Sequence, residues 1–84
     1  GINFHFAAKL AIETTQAILT VMKTNANAGE ATEQLTHAQA HIDAARQALT
    51  AIGTKAYEES ETDAVWGHIR AAEKDLKAAR KVMK

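Results

Sequence analysis

An all-α fold, an up-down-up three-helix bundle forming one domain over residues 1–84, is predicted by three observations. Alanine fills 19 of the 84 positions and proline none, a composition that favours helix almost everywhere. Two short segments break the pattern: Asn25-Ala26-Asn27-Ala28-Gly29, and Gly53 with the run from Thr54 to Ser60. Between them, large apolar residues recur at alternating steps of three and four, the spacing that lines up one helix face. Three helices follow, near 4–24, 29–52 and 61–83.

The first helix, 4–24, ends where the asparagines begin. Asn27 is placed to accept hydrogen bonds from the free amides that open the second helix, and Glu30 and Glu33 sit in its first turn against the positive end of the dipole. Gly53 suits the left-handed position past the last turn, where a side chain would clash. Ser60 or Thr62 is the expected cap of the third helix, and Arg80, Lys81 and Lys84 gather at its negative end. Gly67 lies inside that helix at a cost of about 1 kcal/mol relative to alanine. It implies a close helix approach or a weak first turn.

The second helix presents Ala31, Leu35, Ala38, Ile42, Ala45, Leu49 and Ile52 as a narrow seam, and the third presents Val65, Ile69, Ala72, Leu76, Ala79 and Met83. The first helix differs. Phe4, Phe6, Leu10, Ile12, Ile18, Leu19, Val21 and Met22 spread around it, leaving His5, Lys9, Glu13, Gln16 and Thr20 as a thin polar stripe. A helix apolar on most sides calls for burial on more than one, so it is expected to be central or shared with another chain. The uncovered side chains would be Phe6, Leu10 and Val21 on one flank, or Ile12 and Leu19 on another. A second copy pairing first helices antiparallel would cover them and give a six-helix bundle; a helix from a partner is the other solution.

Several function classes are excluded or disfavoured. A chain this short has room for one core and not for two domains. Without cysteine there is no disulfide framework, thiolate nucleophile, zinc finger or iron–sulfur site. The apolar runs are far shorter than the ~20 residues that span a bilayer. Ten basic and ten acidic residues give no net charge, which argues against a nucleic-acid binder. Arg70, Lys74, Lys77, Lys81 and Lys84 do line one face of the third helix, with Trp66 upstream, but Glu73 and Asp75 dilute the field and solvated lysines are ordinary there. No phosphate loop, nucleophile elbow or paired catalytic carboxylates are present, and the lone Ser60 reads as a cap. The chain is read as no enzyme. An initial Gly1 in place of methionine is expected of a processed chain or a fusion remnant.

Four histidines remain. His37 and His41 stand one turn apart on the second helix, a spacing that lets two imidazoles converge on one divalent ion, with Glu30, Glu33 and Gln34 nearby as oxygen donors. The bland alternative is a solvated pair beside the seam. At 1.5 Å per residue, an up-down-up bundle sets His41 level with Gln16 and Lys74 and puts His5 and His68 much lower.

Gly29, Thr32, Gln34-Leu35, His37-Ala38 and His41-Ile42, followed by Gly67-His68-Ile69 with Leu76 one heptad on, resemble the histidine-bearing helical repeat of the bacterial small metal-binding protein family. The likeness covers residues 28–80. It implies a periplasmic helical bundle binding Cu, Ni or Zn, with His37, His41 and His68 carried over. The family bears histidine on nearly every turn, whereas this chain has four.

Two functions are therefore expected. The first is a non-catalytic helical bundle with a structural or protein-interaction role, self-associating through its first helix, cytoplasmic and without a cofactor. The alternative is a small periplasmic metal-binding protein whose ligands are His37, His41, Glu33 and His68.

Overall fold

Alternating three- and four-residue spacing of apolar side chains becomes three helices in the computed structural model, which describes residues 4–53 and 57–83. They are α1 (Phe4–Lys23), α2 (Thr32–Ile52) and α3 (Glu59–Met83), with a short 3₁₀ turn over Ala28–Ala31. The molecule is a rod of 44 × 17 × 17 Å, close to the ~37 Å that the 25 residues of α3 alone would span.

The seams of α2 and α3 are as the spacing predicts. Every residue assigned to them is buried, from Ala31 to Ile52 on one and from Val65 to Met83 on the other. Alanine at alternate seam positions allows a close helix approach, and α2 and α3 share the most extensive interface in the molecule. The first helix is not central. It packs less extensively on both neighbours, through Ala8, Ile12, Thr15, Leu19 and Met22. Thr15 is buried with its donor satisfied, since its hydroxyl donates to the Ala11 carbonyl at 2.8 Å.

The polar stripe of α1 lies along the α2 border. Gln16 and Gln39 exchange two amide hydrogen bonds, 2.8 and 3.1 Å, and Arg46 pairs with Glu13. Both ends of that ion pair are about half exposed, so it contributes at most ~1 kcal/mol. These contacts set which way α1 is turned.

Helix ends differ from expectation in three places. Asn27 makes no side-chain cap to the second helix; its amide donates instead to the Met83 carbonyl at 3.0 Å, tying the first connection to the end of α3. The free amides are handled differently, since the chain enters α2 through a 3₁₀ turn with Glu30 N–H donating to the Asn27 carbonyl at 3.0 Å. The third helix starts at Glu59 and not at 61, because Glu61 reaches back to accept from the Glu58 N–H at 3.0 Å, one half of a capping box. Ser60 and Thr62 are thereby inside the helix, and the Thr62 hydroxyl donates to the Glu59 carbonyl. Gly53 does close α2 with φ +58° and its N–H on the Leu49 carbonyl. A side chain at Gly67 would meet nothing within 4 Å, so no helix approaches there.

Candidate functional site

The outward side of α1 is the first candidate. At 100° per residue, Phe6, Leu10, Ala17 and Val21 fall within about 60° of one another, opposite the buried stripe of Ile12 and Leu19. Phe6 is 65%, Leu10 58% and Val21 68% exposed, with Ile18 at the edge at 36%. Ala7, Thr14 and Ala17 beside them are exposed as well, and this strip carries no charge; Lys9 and Glu13 border it on one side, and Arg80 of α3 on the other. The large side chains alone leave on the order of 400 Å² of apolar surface in water, at the size where a patch on a monomer tends to be functional. Burial of each large side chain would contribute roughly 1 to 2 kcal/mol, given what remains exposed.

Of the side chains expected on a shared face, Phe6, Leu10 and Val21 are exposed on the outward side of α1. Ile12 and Leu19 are not: at 2% and 0% exposure they belong to the bundle's own core, because α1 turns that stripe inward. Two shallow grooves flank the outward ridge, one lined by Phe6, Lys9, Leu10 and Glu13, the other by Ala17, Ile18, Val21, Met22 and Arg80.

The second candidate is at the α2–α3 border. His41, His68 and Asp75 each precede a seam residue, Ile42, Ile69 and Leu76, and so occupy the rim of the interface. The His41 and His68 rings lie 5.9 Å apart between centroids, tilted by 32°. His41 Nε2 stands 3.8 Å from Asp75 Oδ2, too long for a hydrogen bond. That oxygen is buried and has no hydrogen-bond partner.

This corrects the expected register. His68 is beside His41 and not far below it: His41 reaches both the His68 ring and Asp75, and so stands level with the turns of α3 between them. The expected pairing of His37 with His41 is not what the fold emphasises. His37 and Glu33 are exposed on the solvent side of α2, while His41 leans over the seam. Among the described residues, no group of three or more His, Cys, Asp or Glu side chains is arranged to hold a metal ion.

The cationic face of α3 has Arg70, Lys74, Lys77 and Lys81 exposed, as solvated side chains; Lys84 lies outside the described residues. Trp66 is no free anchor beside them, since it is half buried and packs edge-on against Phe4 at 6.2 Å, with Tyr57 on the same ring at 5.2 Å. Among the described residues no helix is long and apolar enough to cross a membrane. No protein-family model matches the chain, and neither does any curated protein or solved structure.

Proposed function

We propose that the protein is a non-catalytic interaction module whose working surface is the outward face of α1. One observation carries this reading: Phe6, Leu10 and Val21 are 58 to 68% exposed on one uncharged strip while a separate stripe of the same helix already fills the core. The fold does not use these side chains. Their cost in water is offset when another apolar surface covers them.

A photo-crosslinking residue placed at Leu10 or Val21, in the cell that makes the protein, tests this. Adducts of defined mass at these two positions, and none from the exposed Arg70 or Lys74 on α3, are expected. No adduct from α1, or adducts equally abundant from α3, would count against the reading.

A second reading, metal binding, has its own observation in the buried, unpartnered Asp75 oxygen beside His41 and His68. Two imidazoles on one tetrahedral ion have ring centres about 5 Å apart, given metal–nitrogen bonds of ~2.0 to 2.1 Å, and the two rings here are 5.9 Å apart. Titration with Cu²⁺, Ni²⁺ and Zn²⁺ followed by histidine NMR decides it. Binding that weakens on acidification, and is lost in His41→Ala and His68→Ala but kept in His37→Ala, supports a cross-helix site. Binding lost only with His37→Ala places it on the solvent side of α2, and binding that survives all three removes histidine from the account.

A further inference from the structure

We infer that the partner of the α1 face is a second copy of this chain, packed antiparallel about the midpoint of α1. The inference rests on the interaction reading above and names its occupant. Three features of the face favour a copy over a different protein.

The first is its distribution of bulk. Read from either end, the strip is large at the tips and small in the middle: Phe6 and Leu10, then Thr14 and Ala17, then Val21. α1 runs from Phe4 to Lys23, so two copies overlap fully when the two-fold passes between residues 13 and 14. That register sets Phe6 opposite Val21, and Leu10 opposite Ala17. Large meets small at the inner pair, and each tip drops toward the groove beside Ala17, Ile18 and Val21 of the other copy. The face is thus its own complement when reversed, the requirement for a closed two-fold contact.

The second is charge. The strip itself has none, and the molecule balances ten basic against ten acidic residues, so copies do not repel as charged proteins do. The Lys9 and Glu13 border meets itself across the two-fold, with Lys9 of each copy extending toward Glu13 of the other, while Arg80 lies along the opposite edge near Val21. Each Glu13 is already neutralised by Arg46 of its own chain, so the two carboxylates near the axis are tolerated.

The third is area. Two such faces together remove roughly 1,000 Å² from water once the small residues between the large ones are included, the lower bound for a specific interface. A face of this size supports a reversible dimer and not a permanent one.

The absence of native cysteine makes the arrangement directly readable. Sedimentation equilibrium of the purified chain should show dimer at about 100 μM, weakening on the order of 100-fold or more in Leu10→Glu with Val21→Glu at unchanged helicity. Under mild oxidation, a mixture of Leu10→Cys and Ala17→Cys chains should form the mixed disulfide in preference to either self-disulfide. In the antiparallel register the two Leu10 positions are about 10 Å apart along the axis, beyond disulfide reach. A parent that stays monomeric, or a dimer indifferent to both charged substitutions, overturns the second copy as the occupant. Efficient self-disulfide of Leu10→Cys overturns the antiparallel register. Failure here, with defined heterologous adducts still formed at Leu10 and Val21 in the cell, removes the copy and leaves the interaction reading standing.

Discussion

The α2–α3 interface and α1 hold comparable stocks of large aliphatic side chains and place them differently. On α2, Leu35, Ile42, Leu49 and Ile52 follow one seam and all are buried. On α1, Ile12, Leu19 and Met22 form such a seam, while Phe6, Leu10 and Val21 form another on the far side that the fold leaves in water. A three-helix bundle with alanine-rich seams has a use for one stripe per helix. The second stripe on α1 is left over by the packing of the three helices, and that surplus is the observation on which the proposed interaction role rests.

The contrast can be broken most forcefully in the core. Ile42→Ala, at a site 1% exposed, and Leu19→Ala, at a site fully buried, should each cost about 2 to 5 kcal/mol in urea unfolding. For a domain this small that approaches the whole stability. An inert Leu19→Ala would mean that α1 is docked the other way round. A smaller effect of opposite sign is expected from Gly67→Ala. Its new methyl meets no neighbour, so the helix should gain about 1 kcal/mol, visible as a raised thermal midpoint. Loss of stability there would reveal a contact that the fold described above lacks. The smallest change should come from Leu10→Ala in dilute monomer, within about 0.5 kcal/mol of the parent.

The fold was largely legible in the sequence, since both seams of α2 and α3 are buried residue for residue and Gly53 takes the positive φ assigned to it. The orientation of α1 was not. Its two apolar stripes are flanked by the same polar stripe, and hydrophobicity alone gives Ile12 and Leu19 no preference over Leu10 and Val21. The choice is made by partners on another helix, Gln39 and Arg46, which fix the Gln16 and Glu13 side against α2. The histidine cluster was half legible for a related reason. Spacing within α2 points to His37 and His41, but the companions of His41 come from α3 at a register set by how the two buried seams interlock, which spacing along one helix does not reveal. The sign that was available is local: His41, His68 and Asp75 each stand immediately before a large seam residue, the rim position where facing helices bring side chains together.

The most direct test of the claim that α1 carries one stripe for the fold and one for association is the urea midpoint measured over a range of chain concentrations. A dimer adds stability by mass action, so the parent midpoint should rise with concentration, whereas the Leu10→Glu, Val21→Glu variant should hold one midpoint throughout, equal to that of the parent at high dilution. A parent midpoint independent of concentration, together with a double variant markedly less stable at every dilution, would show that the outward stripe belongs to the fold after all.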